Sequence, residues 1–339
     1  MVYRCPNCKG SEIRYDYSSK MAICRKCGEP LRNFQRDVGV RGLDYLGKFP
    51  TMKVLLGKWI EKQISKEQHP LLRYLLKGEP DWNKINGVKN QGKGADVHIK
   101  VDGLQNHHNH LVNLEKCLSA LRDEPRISKF LKHLKNPNSF WQGYAEVECT
   151  ALFKRKFGKV AIEPHLSTCK NVDYNFSLEK KLIFVEVAAP KMGQKFEDVF
   201  LKHVRNTKKT VAFFDLPDSR DRVKDAILHQ FLHFTNSGVP GLIIYDVSKC
   251  EFDGKDVSER LKGTSFLVVY TRKDTGESAS QVKRDPDSVL INDPEIENLG
   301  GIICYKRDFD LEGRPVYTVN IIGIVFPIET MREVGQAFV

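Results

Sequence analysis

At 339 residues the chain is long enough for a full hydrophobic core and for two or three domains. Apolar residues make up 41% of it and charged residues 29%, which excludes a globally disordered chain, and no apolar run approaches the ~18–20 residues of a membrane span. The net charge is +11, of which +7 falls in residues 1–60 (12 Lys and Arg less 5 Asp and Glu), an excess that favours phosphate-bearing partners through counterion release.

The opening MVYRCPNC has no apolar signal region, so the chain reads as cytoplasmic with no membrane association. In that setting the scattered Cys117, Cys149, Cys169, Cys250 and Cys304 read as buried reduced thiols.

Residues 1–36 carry the spacing Cys5-x2-Cys8-x15-Cys24-x2-Cys27. Each CxxC lets a tight turn aim two thiolates at one ion, and YDYSSKMAI suits a short hairpin that brings the turns together. Four thiolates leave no open coordination position, so the expected zinc is structural and folds a segment too short for its own core. The rival reading, two redox-active pairs, lacks a surrounding βαβ pattern. The stretch CPNCKGSEIRYDYSSKMAICRKCGEPL resembles the N-terminal zinc ribbon of transcription factor B-type initiation factors, over about a tenth of the chain. The cyclin-like repeats of those factors are not recognisable here. The function of those factors is therefore not carried over; the ribbon implies a module that docks a protein partner or contacts nucleic acid, and a transcription-associated factor acting through it is a third alternative.

Residues 37–138 read as a linker and a mainly helical region. VLLGKWIEKQI, PLLRYLLKG, HLVNLEKCLSALRD and PRISKFLKHLKN have the i, i+3, i+4 apolar spacing of amphipathic helices. Between them, DWNKINGVKNQGKGADV is rich in Gly, Asn and Lys and reads as loop, with KNQGKG a basic stretch open to phosphates. His107, His108 and His110 in QNHHNHL invite a metal-binding or HNH-nuclease reading. The ββα-metal context for that is not found, and the segment reads as loop or helix start.

From residue 139 the pattern becomes mixed α/β. The helix SFWQGYAEVECTALFKRKFG is followed by strand-like runs KVAIEPHL, NVDYNFSL and KLIFVEVAA, helical stretches around 194–209 and 221–234, and the strand GVPGLIIYDVS. Residues 249–339 read as a β-rich extension packed on this domain, with strand-like SFLVVYTRK, IICYKRD and VYTVNIIGIVF.

Asp173 stands early in one strand and Glu186 in the next, with a turn at LEKK between them. In an antiparallel hairpin both lie at similar distances from the turn and can face one cleft. Glu146 stands one heptad before Phe153, bordering the apolar face of Ala145, Cys149 and Phe153, while Glu148 borders it from the other side. A carboxylate at such a rim is costly unless paired or metal-bound. Which of the two glutamates joins the cleft is left open by the spacing.

Residues 139–248 resemble the PD-(D/E)XK nuclease superfamily, which includes restriction endonucleases and Holliday-junction resolvases. The order matches: helix with Glu, strand, strand with Asp, strand with Glu, helix, strand. The resemblance implies a restriction-endonuclease-like α/β core that cleaves phosphodiesters with magnesium or manganese. It casts Glu146 as the helix carboxylate, Asp173 and Glu186 as metal ligands, and Gln230 as a helix glutamine near the site. It also implies a nucleic-acid substrate, DNA favoured over RNA. Two positions depart from the motif: Glu186-Val187-Ala188 stands where the family has Glu-x-Lys, and Val172 where proline precedes the Asp.

The lysine role therefore moves to Lys191, or to Lys154 or Lys156 on the helix, or hydrolysis is lost and a nucleic-acid- or protein-binding scaffold survives. Lys180 shares the parity of Glu186 but lies six residues off, roughly 20 Å along a strand. Lys154, Arg155 and Lys156, and the segment 206–210 (NTKKT), are candidate phosphate contacts. His229 and His233 flank Gln230 at i, i+4 spacing and read as interfacial helix residues rather than as a metal pair.

Overall fold

The computed structural model describes residues 7–8, 13–16, 21–29, 42–64, 69–90, 92, 94–164, 172–189, 241–249, 265–271, 278–284, 299–323 and 326–339. Cys5, Lys191, Gln230, His229, His233, the segment 206–210 and the two helical stretches expected at 194–209 and 221–234 lie outside them. The chain divides into two units. One comprises Met1–Arg122, Leu131–Phe140 and Phe309–Pro315, and the other Asp123–Phe130, Trp141–Asp308 and Val316–Val339. The sequence reading instead placed its boundaries at residues 36, 138 and 248.

The first unit opens on an antiparallel hairpin of β1 (Ile13–Asp16) and β2 (Met21–Cys24), with Ile13 opposite Cys24. A short helical segment at 42–46 follows, and then α1 (Pro50–Gln63), α2 (Pro70–Lys77), α3 (Trp82–Lys89) and α4 (Ala95–Leu121). α1 and α2 start on proline, whose fixed φ and missing N–H suit the first helical turn. Glu115 of α4 takes the N–H groups of Thr51 and Met52 at 2.8 Å each, setting a carboxylate at the positive end of α1.

The loop expected over DWNKINGVKNQGKGADV is largely helical. Asp81 caps α3 by accepting from the Lys84 N–H at 3.1 Å, and Ile85 is fully buried, so a cap and one anchor outweigh weak helix formers. QNHHNHL lies inside the 27-residue α4. His107 is buried and donates to the Gly78 carbonyl at 2.9 Å, His108 meets the Tyr45 hydroxyl at 2.6 Å, and His110 stacks on Tyr74 with centroids 5.5 Å apart. These are packing histidines, and among the described residues they form no metal-ligand group.

The second unit is mixed α/β. Helix α5 (Ser128–Leu134), which carries residues of both units, precedes α6 (Phe140–Phe157). The strands are β3 (Val160–Ile162), β4 (Tyr174–Leu178), β5 (Lys181–Ala188), β6 (Gly241–Asp246), β7 (Ser265–Thr271), β8 (Ser278–Arg284), β9 (Leu299–Phe309) and β10 (Pro315–Gly323), followed by α7 (Ile328–Gly335). A six-stranded sheet runs β10-β9-β6-β5-β4-β3, and β7 and β8 form a separate antiparallel pair. β3, β4 and β5 are antiparallel neighbours, whereas β5–β6 and β6–β9 pair in parallel. Every residue of β6 is buried, as its continuous apolar run GLIIY requires of a central parallel strand. The C-terminal extension therefore completes the sheet with β9 and β10 instead of packing on it. Among the described residues no helix is long and apolar enough to cross a membrane.

One face of the sheet meets α6. Phe153 sits edge-on to Tyr174 and Phe176, at 5.5 and 4.9 Å between centroids. Further along this face the Arg307 guanidinium is completely buried. It bonds Glu148 of α6 through Nη1, reaches Asp246 of β6 through Nη2 at 3.0 Å, and lies 4.3 Å over the Tyr144 ring. The hydroxyls of Tyr305 and Tyr317 donate to the same Glu148 carboxylate at 3.0 and 2.9 Å. Burial by itself would depress the Arg307 pKa, but Glu148 and Asp246 outweigh it and hold the guanidinium charged.

Removing one member of a buried ion cluster strands the others. Arg307→Met is expected to lower the unfolding free energy by about 3–5 kcal/mol in a urea titration. Arg307→Lys should recover little of that deficit, because one ammonium lacks the fork that spans two carboxylates.

Candidate functional site

The hairpin of β4 and β5 turns on Glu179 and Lys180, both with positive φ (48° and 67°), as a two-residue turn matched to strand twist requires. Its register pairs Tyr174 with Val185 and Phe176 with Ile183. Continued by one position, that register sets Asp173 opposite Glu186. Asp173 closes the arrangement itself: its Oδ2 accepts the Val187 N–H at 2.7 Å.

Glu146 approaches from α6. Its Oε1 accepts from Nε2 of Gln142, one turn earlier, at 2.9 Å. The same amide nitrogen donates to the Val187 carbonyl at 2.6 Å, and the Gln142 Oε1 accepts from the Ala189 N–H at 2.8 Å. Gln142 thus grips the end of β5 as a strand neighbour would, and ties Glu146 to the segment that holds Asp173. Glu146 and Glu186 are buried, with 1% and 7% of their surface exposed, while Asp173 keeps part of its surface open although protein surrounds it on most sides.

The choice between the two helix glutamates is resolved. Two residues along an α-helix turn the side chain by about 200°, so the pair cannot share a target. Glu148 goes to Arg307, and Glu146 goes to the Asp173 side. There Asp173 is pushed well above its ordinary pKa, first by burial, then by the negative charges of Glu186 and Glu146, with a smaller push from Glu163; the Val187 N–H opposes them. Glu163 is the residue that sequence reasoning missed on this edge. Its N–H donates to the Asp173 carbonyl at 2.8 Å, beyond the Ile162–Tyr174 pair, and its carboxylate pairs with Lys129 at 3.1 Å. Gln142 was missed too, although its i, i+4 spacing to Glu146 was a visible signal.

The three carboxylates share a region without forming one compact ligand set. Ligands of one magnesium ion, at 2.0–2.1 Å each, lie within about 4.2 Å of one another. Among the described residues the three do not all bring oxygens within 4.8 Å, so this arrangement does not let one ion touch all of them. Strand alternation gives the reason: Tyr174 and Phe176, with their partners Val185 and Ile183, line the α6 face, so Glu186, and Asp173 opposite it in register, are turned to the other face from the helix that carries Glu146.

The helix lysines do not supply the lysine that the sequence resemblance implies beside Glu186. Lys154 pairs with Glu124 at 2.5 Å, and Lys156 reaches Gln336 at 3.1 Å. Both are two turns or more from Glu146, about 12–15 Å along the axis. Arg155 and Lys156 are exposed, available to a phosphate but remote from the carboxylates.

At the N-terminus, the thiol sulfurs of Cys8, Cys24 and Cys27 lie within 4.8 Å of one another, with Cys8 and Cys24 at 3.4 Å. β2 ends on Cys24, and the turn after it returns through Gly28 (φ 72°), whose N–H donates to the Cys24 carbonyl at 2.9 Å. The Cys24 thiol is lowered to about 7, chiefly by the Cys27 backbone N–H aimed at it, against burial, which raises it. A thiolate cluster of this kind fits a soft or borderline cation.

Comparison with protein-family models, with curated proteins and with solved structures found no match to this chain.

The raised Asp173 pKa has a definite sign in stability. Below the ordinary carboxylate range both folded and unfolded states hold the proton. Above it the unfolded state ionises first, and stability falls as pH rises toward the folded value. Asp173→Asn, which keeps an acceptor for Val187, should therefore raise the thermal midpoint at about pH 7 without divalent metal. The gain should shrink as the pH approaches about 4. A gain independent of pH would contradict the electrostatic origin.

Proposed function

We propose that this chain is a divalent-metal-dependent phosphodiesterase acting on nucleic acid, of the PD-(D/E)XK type, with a restriction-endonuclease-like core and an N-terminal zinc ribbon. The observation that carries the reading is geometric: the hairpin register sets Asp173 opposite Glu186 at the end of β5, and Gln142 ties Glu146 to the same strand end, with the upward shift of Asp173 as the accompanying sign of like charge. Hard oxygen donors crowded until one is driven toward its neutral form suit a small divalent cation, which restores the ionised state by adding positive charge. Magnesium or manganese bound there would supply Lewis-acid charge and a readily deprotonated water.

Asp173 and Glu186 are the residues that would hold the ion. The Val187 N–H orients the Asp173 carboxylate, and Gln142 fixes both the strand end and Glu146, which acts on the site as a neighbouring charge. Lys191, just beyond the strand, is the sequence's candidate for placing the attacking water. Arg155 and Lys156 are candidate phosphate contacts, with DNA favoured as the substrate. At the other end Cys5, Cys8, Cys24 and Cys27 would close a structural zinc site that docks a protein partner or nucleic acid.

One observation favours a second reading, in which the fold binds nucleic acid or a protein without cleaving. Ala188 is 5% exposed and paired with Tyr245 in β6, so nothing basic arises from the motif's last position.

Incubation with single-stranded, double-stranded and branched DNA and with RNA, in magnesium or manganese, decides between the two. Cleavage is expected, with Asp173→Ala and Glu186→Ala each slower by about 10³-fold, the rate equivalent of several kcal/mol. Glu146→Gln should cost about 10–100-fold, as an indirect supporter. Cleavage unchanged in both alanine variants would overturn the site, and its absence from the parent chain selects the binding module. Separately, metal analysis should find stoichiometric zinc that disappears in Cys24→Ala, together with the order of the N-terminal segment by hydrogen exchange.

A further inference from the structure

The helical unit holds a feature that the carboxylate site leaves unexplained. A cleft of about 390 Å³ opens along α1, lined by Val54, Leu55, Lys58, Trp59 and Lys62 of that helix and by Lys135, one residue past α5. Its lining contains three ammonium groups and no acid. Lys58 and Lys62 stand one turn apart, about 6 Å along the axis, a spacing at which like charges repel on a helix. Glu61 lies on the same helix but outside the lining. Among the described residues none of the three lysines is in an ion pair. Beside them Val54 is 83% exposed, and Trp59 is half-buried with its indole held edge-on to His69 at 4.8 Å.

Convergent lysines around a fixed, partly open indole match a polyanion that carries flat rings. An acidic peptide would satisfy the charge and leave the indole unused, and a duplex would satisfy the charge while keeping its bases stacked inside. An extended single strand satisfies both, with successive phosphates along one edge and an unpaired base for the ring. We propose that this cleft binds single-stranded nucleic acid, phosphates on Lys58, Lys62 and Lys135 and a base on the Trp59 indole. The inference rests on the proposed function only for its choice of nucleic acid as the polyanion.

The test uses the full chain, a fluorescent oligo(dT) of about 20 nucleotides and anisotropy without added divalent metal, over roughly 50–200 mM salt. Lys58→Gln/Lys62→Gln/Lys135→Gln should weaken binding at least about tenfold and reduce the salt slope by about 2, at about 0.7 for each phosphate no longer neutralised. Trp59→Phe, which keeps a packing ring, should remove most of the tryptophan quenching on binding while circular dichroism stays unchanged. Unaltered affinity and slope in the triple variant would overturn the proposal, as would competition by polyglutamate or duplex as strong as that by oligo(dT). The outcomes also part from those of the nuclease reading. Cleavage with binding indifferent to the three lysines rejects the cleft alone, lysine-dependent binding without cleavage rejects the nuclease alone, and neither activity rejects both.

Discussion

The second unit is organised by a guanidinium with no access to water. Arg307 lies between Glu148 and Asp246, so it joins α6, β6 and β9 through one ion cluster. A charge this deep is tolerated only when its partners are fixed, and here they are: two tyrosine hydroxyls hold Glu148, and the Ser248 N–H donates to Asp246 at 2.9 Å. Apolar packing of Phe153 on Tyr174 and Phe176 would let α6 roll about its axis at modest cost. The bond from Glu148 to Arg307 does not, and it thereby sets the direction of every other side chain on the helix. Glu146, about 200° away, is carried to the Asp173 side as a consequence.

The two glutamates end in opposite electrostatic circumstances. Glu148 meets a cation that belongs to the fold, and the charged form of Arg307 is favoured despite burial. Glu146 instead adds to the negative field on Asp173, where burial and Glu186 already oppose ionisation. Two acidic residues two positions apart thus serve two different ends. One locks the helix by neutralisation, and the other contributes to an unfavourable accumulation of like charge. This arrangement costs folding energy at neutral pH, and Gln142 and backbone N–H groups hold it in place.

Much of this was legible in the sequence, and the remainder was hidden for identifiable reasons. Short strands with Asp173 and Glu186 flanking LEKK were enough to set the pair opposite each other, because a two-residue turn leaves little freedom in register. The α6 helix was legible from its apolar spacing. The assignment of Glu146 and Glu148 was not, since it depends on Arg307, more than 150 residues later in the chain. The helical state of QNHHNHL was hidden because its core is polar: Gln105, His107, Asn109, His110 and Asn113 are all buried, and apolar periodicity cannot register such a face. The membership of β9 and β10 in the central sheet was equally unreadable, because parallel pairing with β6 is a long-range choice that no local pattern announces.

Ala188, where the resemblance to PD-(D/E)XK nucleases implies a lysine, is buried in the same sheet. Parallel pairing sets Ala188 beside Tyr245, a ring buried to 1% exposure whose hydroxyl has no hydrogen-bond partner among the described residues. Both side chains rise from one face of the sheet, so a lysine at 188 would have to run beside that buried tyrosine. It would also bring an ammonium into a position 5% exposed, where its charged form is disfavoured unless Glu186 compensates. Tyr245 is itself held in its neutral form, mainly by burial, with the Cys304 and Glu186 charges adding to it. Burial in β5 and the neighbouring Tyr245 of β6 therefore both disfavour a lysine at position 188. A cationic function near Glu186, where the chain has one, has to enter from outside the sheet, over the end of β5, and not from within it.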